Sequence, residues 1–190
     1  MITITLASQS PRRRAILEQA GFTVEVCPPD VDESARPGED PIALVERLAR
    51  SKCAAQQTSP DRIVVAGDTV VILAGEVLGK PCDDREAVAM LQRLSGSVHQ
   101  VVSGWCVRRG SHQISGVELT TVTFRTLTES EIAAYVATGE PLDKAGAYGI
   151  QERGGAFVER VEGSLDNVAG LPLEAVVSAI EKVAPASPAP

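Results

Sequence analysis

Segments patterned like strands alternate along this chain with segments that open like helices, and that alternation limits it to a mixed α/β sheet. The start, "ITITLAS", alternates apolar and polar residues and stops at small ones, the pattern of a short strand. Ser10 and Pro11 follow as N-cap and first helical residue, and Gly21 closes the helix they open. "FTVEVCPPDVDES" is a second strand running into an acidic loop. Asp40 and Pro41 open a second helix, through about Gln57. "DRIVVAGD" is an apolar strand ending at Asp68, and a hairpin turned near Ala74 and Gly75 follows it. Asp83 with Glu86, and Thr128 with Glu131, have the spacing of capping boxes; strands near 98–108 and 113–125 lie between them. The glycine-rich stretch 139–170 has the composition of a loop, and Pro172 opens a last helix. The expected organisation is one domain over 1–184, with a disordered Pro- and Ala-rich tail at 185–190.

Composition removes several function classes. A net charge of −7 argues against non-specific binding to nucleic acid or acidic membranes. Aromatics at 3% leave few platforms for stacking single-stranded bases. No apolar run reaches membrane length and the start lacks an apolar signal region, so a cytoplasmic location is expected. The cysteines at 27, 53, 82 and 106 form no CxxC pair; reduced, buried thiols are expected, not a disulfide scaffold or zinc site.

Against this acidic background "SPRRR" is unusual, because the first turn of a helix favours Asp and Glu. A phosphate bound there would reverse the sign, gripped by Arg12 and Arg13 with a hydrogen bond from Ser8. Arginines solvated or paired elsewhere are the alternative. Lys52 shares an apolar helix stripe with Val45 and Leu48, and it either snorkels to water or meets a phosphate. Asp68, followed by Thr69, stands where α/β sheets place ligands; it suits a general base, a metal ligand or a turn. Lys80 in "LGKP" belongs to no Walker loop, since the spacing is wrong and Pro81 replaces Ser or Thr. Asp30, Asp32 and Glu33 are oxygen donors of the kind Mg²⁺ uses, and equally a solvated acidic loop. His99 and His112, far apart in sequence, suggest neither a zinc site nor a Ser-His-Asp triad. Between Gly139 and Phe157, glycines at 146, 149, 154 and 155 permit close backbone approach to a ligand. Lys144 adds a charge there and Gln151 an amide able to read a base edge. A flexible surface loop is the plain alternative.

Taken together, "LASQSPRR", "ARSKCAA", "AGDTVV", "GKP", "LSGSVHQVVSG", "GEPLDKAGAYGIQ" and "GSLDNVAGLPL" resemble, in order and spacing, the Maf family of nucleotide pyrophosphatases. The "DKAGAYGIQ" form resembles the branch that hydrolyses dTTP and UTP. The resemblance implies a mixed, extended sheet flanked by helices, in two lobes with an active-site cleft, as in the related ITPase-like folds. It implies a nucleoside triphosphate substrate, a divalent cation (Mg²⁺ or Mn²⁺) and a homodimer. It makes Asp68 the proton acceptor and ties Arg12, Thr69 and Gln151 to base choice. Ser8, Arg13, Glu33, Lys52 and Lys80 fall at other active-site positions, with Glu33 and Asp68 expected at the metal. Gln9 and Glu152 depart from the family pattern beside the expected pocket. The family name is also associated with septum formation, so a nucleotide-responsive regulator is the second function class; it would need the cations but not Asp68.

Overall fold

A computed structural model describes residues 2–184; the expected tail at 185–190 lies outside the described residues. The strands are β1 (Thr3–Leu6), β2 (Thr23–Val26), β3 (Ile63–Leu73), β4 (Glu76–Leu78), β5 (Val98–Arg109), β6 (His112–Phe124) and β7 (Val158–Glu162). They form one mixed sheet ordered β2-β1-β3-β5-β6-β7, with β4 pairing to β3. The helices are α1 (Pro11–Gln19), α2 (Pro41–Ala54), α3 (Asp84–Leu94), α4 (Glu129–Val136), α5 (Leu165–Val168) and α6 (Leu173–Val183).

The described residues divide into two compact units, one of 2–68, 103–118 and 170–184, the other of 69–102 and 119–169. In the first unit β1 pairs in parallel with β2 on one side and β3 on the other. The connection through α1 therefore runs one way from β1, and the connection through α2 runs back past it. Such a reversal is where open α/β sheets bind ligands, beyond the carboxyl ends of the strands. The helix openings follow local chemistry. Ser10 Oγ accepts from the Arg13 amide at 3.4 Å, and Asp40 Oδ1 accepts from Ile42 and Ala43 at 2.9 and 3.3 Å.

Helix α2 lies tightly on the sheet through Gly104 in β5. A Cβ there would stand 2.1 Å from Val45 O and 2.5 Å from Glu46 N, both backbone atoms. Gly104→Ala should therefore lift α2 and cost about 3 kcal/mol or more, the upper range for overpacking a core. Urea unfolding measures it; a loss under about 1 kcal/mol would contradict this packing.

The second unit has its own core, built from α3, α4 and the inner faces of its strands, including Leu91, Leu94, Phe124, Ile132 and Tyr135. Thr128 and Glu131 form the expected capping box of α4. Asp83 caps α3 through the Glu86 amide, but the Glu86 carboxylate turns to the Cys82 amide, so that box is incomplete. His99 is 1% exposed and stands edge-on to Phe124 and Tyr148. Its Nε2 lies 2.9 Å from the Tyr148 hydroxyl, while Nδ1 has no partner among the described residues. Burial pushes its pKa from 6.5 down to about 4. The unfolded chain therefore takes the proton first as the pH falls. Stability should be full above pH 6.5 and decline toward pH 4 by about 3 kcal/mol. Glu39 and Glu131, held at about 2 by arginine partners, act only below their ordinary value of 4.5. Urea unfolding at pH 7, 5.5 and 4.5 tests this; a flat wild-type curve, or a slope that persists in His99→Gln, would contradict it.

Three expectations need correction. Strand β3 does not end at Asp68 but runs on to Leu73, because it exchanges partners along its length: Ile63–Val65 pair with β1 and Val71–Leu73 with β4. The stretch 139–170 is not simply loop; it holds three short 3₁₀ turns, β7 and α5. The four cysteines are free, but only Cys53 and Cys106 are buried, while Cys27 and Cys82 are exposed.

Candidate functional site

Asp68 stands on β3 three residues beyond Val65, whose β1 partner Leu6 is the last in that register. It therefore projects past the carboxyl end of β1, at the reversal of connections. The residues after β1 supply its neighbours. Ser8 is buried, and its hydroxyl oxygen accepts from Arg13 Nη1 at 3.0 Å and from the Ser10 amide at 3.2 Å. Arg13 Nε donates to Gly170 O at 2.8 Å. Gly67 leaves room for this arm, since a Cβ there would meet Arg13 Nε at 3.3 Å. Burial lowers the Arg13 pKa and the charge of Arg12 lowers it further; Asp68 and Glu33 oppose them, which puts all four in one electrostatic neighbourhood. Arg12 is half-buried in the first turn of α1, which contains no acidic residue.

Lys52 completes the cluster. It lies on the stripe of α2 that buries Leu44, Val45, Leu48, Ala49 and Cys53, and is 6% exposed. It does not snorkel: its ammonium donates to Asp68 Oδ1 at 2.7 Å and meets Glu33 Oε2 at 2.9 Å. Two carboxylates from a strand and a loop thus converge on one cation, with a position in the last turn of α2 that the helix dipole favours. The acidic loop is itself held by α2. Arg47 donates to both oxygens of Glu39, at 2.6 and 2.7 Å, and to Ser34 O at 3.0 Å, beside Glu33. Glu33 and Asp68 thus bring carboxylate oxygens to the same ammonium. Among the described residues no three of His, Cys, Asp and Glu gather closely enough to cage a metal ion.

In the second unit Thr69 is half-buried and Lys80 and Gln151 are exposed. Lys144 is 5% exposed, and its charge goes to its own loop, with Nζ 2.7 Å from Glu140 O and from Asp143 Oδ1 and 3.4 Å from Glu152 Oε2. The glycines expected to approach a ligand are packed internally. A Cβ at Gly149 would lie 2.5 Å from Lys144 Cε, and one at Gly154 2.8 Å from the Tyr135 hydroxyl.

Compared with known proteins, residues 3–183 match the family model described as Maf-like protein. The chain belongs to this family. Relatives of this Maf-like chain include a protein of Anaeromyxobacter dehalogenans, 54% identical over 175 residues (90% of this chain, 88% of the relative), named dTTP/UTP pyrophosphatase. Proteins of Escherichia coli (49% over 175 residues, 91% and 89%) and Chromobacterium violaceum (48% over 176, 90% and 89%) carry the same name. Among solved structures a HAM1 protein from Coxiella burnetii is similar at TM-score 0.51 and 15% identity, covering 96% of this chain and all of the other. That likeness is one of fold.

Two groups that shape the acidic loop and the glycine-rich segment are not legible in the sequence. Arg47 has no local sign there beyond Glu39 eight residues earlier. Tyr135 and Glu140, which tie the 139–155 segment together, gave no signal beyond lying near one another in sequence.

Proposed function

We propose that this chain is a nucleoside triphosphate pyrophosphatase that hydrolyses dTTP and UTP to the monophosphate and pyrophosphate. The observation that carries it is the convergence of Lys52, Glu33 and Asp68 beside Arg13 and Ser8 at the reversal of the sheet. A regulator that only binds nucleotides would need the arginines but not a carboxylate held by a buried ammonium. The relatives' shared name supports the same choice.

In this mechanism Asp68 takes a proton from the attacking water, while Lys52 fixes the orientation of its carboxylate. Water oxygen adds to the α-phosphorus, the bond from that phosphorus to the α–β bridging oxygen breaks, and pyrophosphate leaves with the bridging oxygen. Arg12, Arg13 and Lys80 balance the charge on the transferred and leaving phosphates, and Ser8 sets the Arg13 fork. Glu33 and Asp68 suit Mg²⁺ or Mn²⁺, which are held by one or two carboxylates with water and phosphate oxygens completing the shell. Such an ion, when bound, would neutralise phosphate charge. Thr69 and Gln151 contribute to base choice, and Lys144 shapes the loop that carries Gln151. With the family resemblance we take the enzyme to be a cytoplasmic homodimer; among the described residues no helix is long and apolar enough to cross a membrane.

Comparison of kcat/KM for dTTP, UTP, CTP, ATP and GTP tests the substrate reading. We expect dTTP and UTP to exceed both purine nucleotides by at least about 10-fold, since a site built for one hydrogen-bonding edge leaves groups unpaired with another. A purine preference would overturn it.

A further inference from the structure

Gln151 is exposed, yet the backbone on both sides of it is tied to the same two side chains. The Tyr135 hydroxyl donates to Glu140 Oε1 at 2.7 Å and accepts from the Gly149 amide at 3.2 Å. Glu140 Oε1 also accepts from the Gly154 amide at 3.2 Å, and Oε2 accepts from the Arg153 amide at 3.4 Å. Between these anchors the Glu152 amide donates to Gly149 O at 3.3 Å, closing a tight turn with Gln151 inside it. Tyr135 is 4% exposed and edge-on to Phe157, with ring centroids 4.9 Å apart, so the anchor belongs to the core of its unit. Lys144 fixes the Glu140 end from below, through the Glu140 carbonyl at 2.7 Å. The turn has no slack: a Cβ at Gly154 would lie 2.9 Å from Gly149 N, and one at Gly155 2.4 Å from Ile150 O.

Rigidity matters here because of what a glutamine amide is. It presents a donor and an acceptor side by side, and a half-turn exchanges them. One orientation suits a uracil or thymine edge, with its carbonyl acceptor and ring N–H donor. The other suits cytosine, with an amino donor and ring nitrogen acceptor. A freely turning amide accepts both. Where that amide sits relative to the base is set by the turn that carries it, so a pinned turn limits which of its orientations can meet a given edge.

We propose that Tyr135 and Glu140 are positioning residues for base selection: by pinning the backbone on both sides of Gln151 they make the site choose uracil and thymine over cytosine. This rests on the pyrophosphatase reading above and on Gln151 reading the base. The hydrogen bonds of Tyr135 and the Glu140 carboxylate run to each other and to the amides of Gly149, Arg153 and Gly154, so their loss should change selectivity more than chemistry.

The test uses Tyr135→Phe, which removes one hydroxyl, with Glu140→Gln as a second variant and Gln151→Ala as reference. The readouts are the dTTP:CTP ratio of kcat/KM and the exchange rate of the Gly149, Arg153 and Gly154 amides in the nucleotide-free protein. In Tyr135→Phe we expect Gly149 exchange to accelerate at least about 10-fold, and the ratio to fall at least about 5-fold, mainly through a higher KM for dTTP. Glu140→Gln should do the same at Arg153 and Gly154, and serves alone if Tyr135→Phe does not fold. Unchanged exchange, or faster exchange with an unchanged ratio while Gln151→Ala lowers it, overturns the clamp. A ratio that Gln151→Ala also leaves unchanged overturns base reading by Gln151, and a wild type that hydrolyses neither nucleotide overturns the pyrophosphatase reading itself.

Discussion

Asp68→Asn should lower turnover of dTTP by at least about 10²-fold, the usual range for loss of a positioned general base. The substitution is nearly isosteric. The amide oxygen can still accept from the Lys52 ammonium, which now stands 2.7 Å from Asp68 Oδ1, so the cluster and fold should persist. What is lost is the basicity that accepts the proton of the attacking water. Nucleotide affinity should survive, because Arg12, Arg13 and Lys80 remain. Melting temperature with and without dTTP, at constant Mg²⁺, reads that affinity independently of turnover. A variant with near wild-type turnover would remove Asp68 from the chemistry. One that no longer responds to dTTP would make the residue a binding group first.

Lys52→Met should be nearly as damaging to activity, at least about 10²-fold, for a different reason. Its aliphatic stem runs along the apolar stripe of α2, so methionine can refill that space. The missing ammonium leaves Glu33 and Asp68 without the cation they share. Removing one partner of a fully buried ion pair costs about 3–5 kcal/mol. Here the cost should be smaller, about 1–3 kcal/mol, because the Asp68 side chain is 14% exposed and that of Glu33 57%, and water can reach both. Urea unfolding and steady-state kinetics separate the two effects. A variant as active as wild type would mean that Lys52 serves the fold alone.

How much of this was legible in the sequence depends on the range of the interaction involved. Ser10, Asp40 and Thr128 were readable as helix starts because a cap is made within three residues. The Lys52 stripe position was readable from periodicity, but its partners lie 16 and 19 residues away on other elements, so snorkelling and pairing could not be told apart. For Asp68 the sequence reading places a strand end where the strand in fact continues. In "VVAGDTVVIL" Gly67 and Asp68 read as a strand end, yet the strand runs through them, and its change of partner from β1 to β4 depends on where those strands end. The glycines of 139–155 misled in the opposite direction. Their density suggested slack or a ligand contact, whereas Gly149 and Gly154 are small because Lys144 and Tyr135 occupy the space beside them. The resemblance brought the site residues together where periodicity could not, and the geometry of the first unit gathers Ser8, Arg13, Glu33, Lys52 and Asp68 into one neighbourhood.

The most direct test is the identity of the products. The protein is incubated with dTTP and Mg²⁺, and the phosphorus species are followed by ³¹P NMR. Cleavage at the α–β bridge predicts dTMP and pyrophosphate appearing in equal amounts from the start, with both signals absent in Asp68→Asn over the same interval. Formation of dTDP and orthophosphate, or no hydrolysis of dTTP or UTP by the folded protein, would contradict it.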